Sequence, residues 1–154
     1  MAFDLVALYG GPVPPASEVL AGYETVWTDE GTPQAPTLLL CTDPDLVENS
    51  AKYFRLNNTD WHHLWDIAQA LSPIAAKTGE AWRWNHGHCF DGALTDLIAQ
   101  QMQESRQTLQ QSGRWHDFIG RFLPDSSIQT RREFEHLIED LTSWLQQANG
   151  AVAY

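Results

Sequence analysis

Apolar residues along this chain follow two periods, short runs near its beginning and helical stripes through most of the remainder. Phe3–Tyr9 is a brief apolar run closed by Gly10-Gly11-Pro12 and Pro14-Pro15, which predicts a strand followed by a loop. Ser17 reads as an N-cap, with Val19, Leu20, Tyr23, Val26 and Trp27 at helical spacing behind it; Gly22 weakens that helix. After the turn-rich stretch 29–36, Thr37–Cys41 is a second candidate strand, short and apolar enough to be buried.

From Asp43 onward the pattern is helical. Asp43 as N-cap with Pro44 at the first helical position starts a helix whose stripe is Leu46, Val47, Ala51 and Phe54. Asn57-Asn58-Thr59-Asp60 breaks it and caps the next, where Trp61, Leu64, Trp65, Ala68 and Leu71 share a face and Ser72-Pro73 ends the run. A helix from about Asp91 to Gln111 aligns Leu94, Leu97, Ile98, Met102 and Leu109, with glutamines over much of the rest, and stops at Gly113. Arg114–Leu123 is a short amphipathic segment halted by Pro124. The last helix starts either at Ser127 or with a Thr130/Glu133 capping box. Its stripe of Phe134, Leu137, Ile138, Leu141, Trp144, Leu145 and Ala148 is the cleanest in the chain, and Gly150 follows its end. The expectation is a mostly α protein over 1–154, with about five to six amphipathic helices in one compact domain. A small two-stranded β element near the N-terminus completes it.

Composition agrees with a packed globule: 43% of residues are hydrophobic and 19% charged. Seven tryptophans imply either an indole-built core or a recognition surface, because the ring is bulky and carries one N–H donor. Two cysteines, Cys41 and Cys89, are too few for a disulfide framework. The opening residues lack a basic region and hold Asp4 inside their apolar run, so no signal peptide is expected. No apolar stretch approaches the roughly 20 residues of a spanning helix. These features predict a reduced, cytoplasmic protein that does not enter membranes.

Charge changes the picture more. The formal net charge is −11, and residues 1–60 hold nine acids against two bases. The first 51 residues contain eight carboxylates and no lysine or arginine. Such a field attracts basic surfaces and repels nucleic acid and anionic membranes. Arg131-Arg132 is the only adjacent basic pair, too little for a nucleic-acid footprint.

The most unusual segment is Trp82-Arg83-Trp84-Asn85-His86-Gly87-His88-Cys89-Phe90-Asp91. If extended, it aims Trp82, Trp84, His86, His88 and Phe90 to one side, as binding anchors would be. The competing account packs both indoles beneath the helices, where large aromatics usually lie. His86, His88 and Cys89, joined by His62 and Asp66 four apart on a helix, are residue types that hold zinc. Neither C-x-x-C nor H-E-x-x-H accompanies them, and a solvated polar face explains His62 and Asp66 more simply. Cys89 just ahead of a helix N-terminus also suggests a nucleophilic thiol with His116 or His136 as base, although neighbouring Asp91 opposes a thiolate. Lys77-Thr78-Gly79 lacks a partner S-x-x-K, and the P-loop, G-x-S-x-G and dinucleotide fingerprints do not occur.

The expected function is therefore a non-catalytic acidic binding protein that neutralises a basic protein partner without cofactor or metal. Its concrete form is an immunity protein or antitoxin occluding the active site of a toxin. The partner-binding set would be Glu18, Glu24, Trp27, Asp29, Glu30, Asp43, Asp45, Glu48, Trp82 and Trp84. A small metal- or thiol-dependent enzyme around residues 86–89 and a structural or adaptor subunit are the alternatives.

Overall fold

The computed structural model describes residues 2–7, 23–24, 40–41, 53–83 and 89–153. Strand β1, Ala2–Ala7, arises where the sequence predicts it. Its odd positions turn inward: Phe3 and Leu5 are buried. β1 pairs antiparallel with β4 (Tyr53–Asn57), setting Phe3 opposite Leu56 and Leu5 opposite Phe54. Directly opposed residues share a face, so these four side chains form one apolar surface. On its other side β1 pairs with β6 (Ala151–Ala153), which in turn pairs with β5 (Cys89–Phe90). The sheet order is β4-β1-β6-β5, with the two ends of the described chain as its central strands. Tyr23–Glu24 (β2) and Leu40–Cys41 (β3) make a separate two-stranded ribbon.

Six helices follow among the described residues, and the protein is mostly α. Helix α1, Asn58–Leu71, is capped by Asn57, whose side chain accepts from the Asp60 N–H at 2.8 Å. It buries Trp61, Leu64, Trp65, Ile67, Ala68 and Leu71. Ser72 has two jobs. Its N–H bonds Ala68 O to close α1, and its hydroxyl accepts from Ala75 N to open α2, Pro73–Lys77. Pro73 at the first helical position lacks only a donor that would be unpaired there. One further turn, α3 (Gly79–Arg83), brings Trp82 back toward α1.

Asp91 caps α4, Gly92–Gln111, and Ser127 caps α6, Ile128–Ala148; the short α5, Trp115–Phe122, lies between them. The long helices run antiparallel. Thr95 meets Gly150, Gln103 meets Gln146 and Arg106 meets Glu139, so rising numbers on one helix match falling numbers on the other. A single apolar cluster joins β1, α1, α4, α5, α6 and β6.

Three local expectations are corrected. Tyr23–Glu24, placed in a helix from Ser17 to Trp27, is strand; the remainder of that segment lies outside the described residues. Phe54, assigned to a helical stripe beginning at Asp43, belongs to β4; residues 43–52 lie outside the described residues. There the inward Phe54 and Leu56 alternate with the exposed Arg55 and Asn57, a period-two signal only five residues long. Leu97, expected on the buried stripe of α4, is 39% exposed, because the stripe actually runs through Thr95, Ile98, Ala99 and Met102. The β content also exceeds a two-stranded element, since Ala151–Ala153 adds a strand too short to signal itself.

The structure decides between the two starts of α6. Thr130 N donates to Ser127 Oγ at 3.1 Å, so Ser127 is the cap. Ser127→Ala should therefore cost about 1 kcal/mol in urea unfolding. Thr130→Ala, which loses only a surface hydroxyl contact, should cost clearly less.

Candidate functional site

The tryptophan-rich segment divides at Arg83. Trp82 is fully buried on α3, stacked between Trp65 and Phe90 with ring centroids 5.1 and 3.7 Å away. The stack continues from Trp65 to Trp61 at 5.5 Å and from Trp61 to Phe3 at 4.1 Å. Five rings thus run from β1 through α1 and α3 to β5.

Each indole N–H in this column is satisfied. Trp61 donates to Trp82 O at 2.9 Å, Trp65 to Gly79 O at 3.1 Å and Trp82 to Thr78 Oγ1 at 3.0 Å. An unpaired buried donor would cost about 1–3 kcal/mol, so these bonds fix how α3 lies on α1. Trp82, expected as a partner anchor, is a core residue: no ring surface is left for a partner to touch. The extended arrangement does not apply to it either, because α3 is helical through Arg83.

Glu24 lies in β2, opposite Leu40. Glu18, Trp27, Asp29, Glu30, Asp43, Asp45, Glu48 and Trp84 lie outside the described residues, as do His86 and His88. Asp4, the remaining early acid, sits opposite Arg55 in the β1–β4 register.

The His62/Asp66 face is described, and a guanidinium occupies it. Arg83 Nη2 donates to Asp66 Oδ1 at 2.8 Å, while Nη1 stands 3.5 Å from His62 Nδ1. Gln69, turned with its oxygen toward them, accepts from Arg83 Nη2 at 3.1 Å and from Trp65 Nε1 at 3.0 Å. A fixed positive charge between two would-be ligands repels a metal cation, so this face works as a hydrogen-bonded clasp between α1 and α3. Among the described residues no group of three or more His, Cys, Asp or Glu side chains is placed to hold a metal ion.

Cys89 occupies β5 opposite Val152. The histidines proposed as its base face outward on other helices. His116 contacts Glu135 at 3.0 Å, and His136, 78% exposed, lies 4.0 Å from Glu139. Both have carboxylate neighbours on α6.

One concave feature was not foreseen. A groove of about 280 Å³ between α4 and α6 is lined by Gln103, Arg106, Glu139, Thr142, Ser143 and Gln146. Arg106 reaches Glu139 at 3.8 Å, while its buried Nε has no partner. Gln146 Nε2 donates to Gln103 Oε1 at 3.0 Å. The positions 139, 142, 143 and 146 repeat at helical spacing beside the apolar stripe, a polar companion stripe visible in the sequence once α4 is known to lie against it. Arg131 Nε is equally unpartnered without lining this groove. The groove is therefore a polar seam between the helices.

The acidic excess is smaller on the helical body than in the first third of the chain. Residues 53–83 carry three acids and three bases, and residues 89–153 carry nine acids and five bases. Four of the bases find local partners: Arg83 with Asp66, Arg106 with Glu139, Arg114 with Ser112 Oγ and Arg131 with Pro124 O. No helix among the described residues is long and apolar enough to cross a membrane.

No family model matches the chain, and no curated protein or solved structure matches it.

Trp82→Ala removes the ring between Trp65 and Phe90 and the hydrogen bond it donates to Thr78. It should cost about 3–5 kcal/mol in denaturant unfolding. A loss below about 1 kcal/mol, the scale of an ordinary surface change, would show that the ring is not enclosed.

Proposed function

We propose that the protein is a non-catalytic acidic binding protein that neutralises a basic protein partner, in the manner of an immunity protein or antitoxin covering a toxin's active site. A toxin acting on nucleic acid or another anionic substrate must present positive charge to it. A carboxylate-rich surface complements that charge and speeds encounter.

The observation that carries this reading is segregation. Eight carboxylates precede Lys52 without one intervening base, whereas residues 53–83 are balanced. Arg83, Arg106 and Arg131 engage groups on the helical body itself, which supports an N-terminal charge left for an outside partner. Glu18, Glu24, Asp29, Glu30, Asp43, Asp45 and Glu48 are the steering set, with Trp27 and Trp84 as the remaining aromatic anchors. In this reading the protein acts in the cytoplasm, takes no cofactor, and binds neither nucleic acid nor membrane.

The test begins with the product of the neighbouring reading frame, expressed with and without this chain. Growth arrest by that product, relieved by coexpression, is the expected result; arrest without relief would sink the proposal. With the purified pair, association should slow about tenfold or more as salt rises from low to high concentration, with dissociation changing little. Reversing Asp29, Glu30, Asp43 and Asp45 together to lysine should slow association similarly. An unchanged rate would remove that patch from the interface.

A further inference from the structure

We propose that Asn149-Gly150 is a spontaneous modification site, converted through a succinimide to aspartate and isoaspartate, and that the seated C-terminal strand holds the reaction off. This is the one Asn-Gly pair in the chain. Glycine has no side chain to shield its nitrogen, so that nitrogen can reach the preceding amide carbon. In the reaction Gly150 N bonds to Asn149 Cγ, and the Cγ–Nδ2 bond breaks. Ammonia leaves, taking up the proton released from the Gly150 nitrogen. Water then opens the ring. Cleavage at Cγ yields aspartate, and cleavage at the main-chain carbonyl yields isoaspartate. Water is the only co-reactant, and nothing is oxidised or reduced.

Three features oppose this step in the folded protein. Ring closure needs the Gly150 nitrogen eclipsed with Asn149 Cβ about the Cα–C bond. Asn149 instead sits in the left-handed region with φ 45° and ψ 61°, which sets that nitrogen nearly opposite Cβ. The nitrogen is also occupied: Gly150 N–H donates to the buried Thr95 Oγ1 at 3.0 Å. Finally, the Asn149 side-chain oxygen fills the space that a Cβ on Gly92 would take, so the amide is held against the start of α4.

Rotating ψ of Asn149 into the reactive range swings Gly150 away from Thr95 and pulls on Ala151–Ala153. Both Ala151 and Ala153 are fully buried, and the strand is paired on two sides. The reaction is therefore confined to states in which this strand has opened. Its isoaspartate product carries an extra backbone carbon between α6 and β6 and one added negative charge. That insertion shifts the register of a three-residue central strand, so an opened chain that reacts does not re-seat it. The C-terminus is a latch with an irreversible failure mode.

The full-length protein is incubated in mildly alkaline buffer, natively and in urea, and followed by intact mass and isoaspartate-specific labelling of the 149–150 peptide. Rapid conversion in urea and slow conversion natively are expected. Thr95→Val should speed the native reaction about tenfold by freeing the Gly150 N–H. Gly92→Ala, whose Cβ meets the Asn149 side chain, should also speed it and serves if Thr95→Val does not fold. Ile138→Val, a mild core change away from the latch, should leave the rate near wild type. Equal native and urea rates, no reaction in urea, no acceleration in the folded latch variants, or equal acceleration by Ile138→Val would each overturn the proposal.

Discussion

Stacking of the Phe3, Trp61, Trp65, Trp82 and Phe90 rings is the constraint on which the rest of the architecture depends. Phe3 and Phe90 belong to different strands, while the three indoles belong to two helices. The column therefore ties the sheet to α1 and α3 at once. Large flat rings bury much apolar area per side chain, and offset stacking adds to that burial. The indole N–H groups supply direction that apolar contact lacks. Each finds an acceptor on the α2–α3 stretch, Thr78, Gly79 or Trp82, so the one-turn helices are held in place although they are too short to persist alone.

The same economy shapes the chain's end. Asn149 and Gly150 turn α6 sharply into β6, and Thr95 takes the N–H freed by that turn. Alanines then fill the centre of the sheet, where β1 and β5 press from both sides. A three-residue central strand with alanine at both ends contributes little area, so its place rests on backbone pairing and on the turn that feeds it. Stability here draws on the aromatic column, and the latch draws on backbone pairing to β1 and β5.

Several charged groups on the helical body tie its elements together. The Arg83 guanidinium bridges α1 and α3, Arg106 faces Glu139 across the helix seam, and His116 meets Glu135. Among the described residues, Asp66 and His116 thus join neighbouring elements, Asp66 through Arg83 and His116 through Glu135. The larger charge excess lies in the acidic beginning of the chain, which is why the proposed function rests on it.

The longer helices and their starts were legible in the sequence because their determinants are local. Asn57, Asp91 and Ser127 each bond a backbone N–H within a few residues, and the apolar stripes repeat every turn. The one-turn helices Pro73–Lys77 and Gly79–Arg83 were not foreseen, because five residues are too few to show a helical period. The first strand was legible for the same reason, as an apolar run ended by glycine and prolines. Tertiary structure alone decided the partners. Nothing in Tyr53–Asn57 or Ala151–Ala153 says that these segments flank β1, since sheet pairing joins residues distant in sequence and leaves only a weak period-two trace in so short a strand. Whether Trp82 served as anchor or core was settled the same way. A tryptophan suits either environment, and only the arrival of Trp65 on one ring face and Phe90 on the other removed it from solvent.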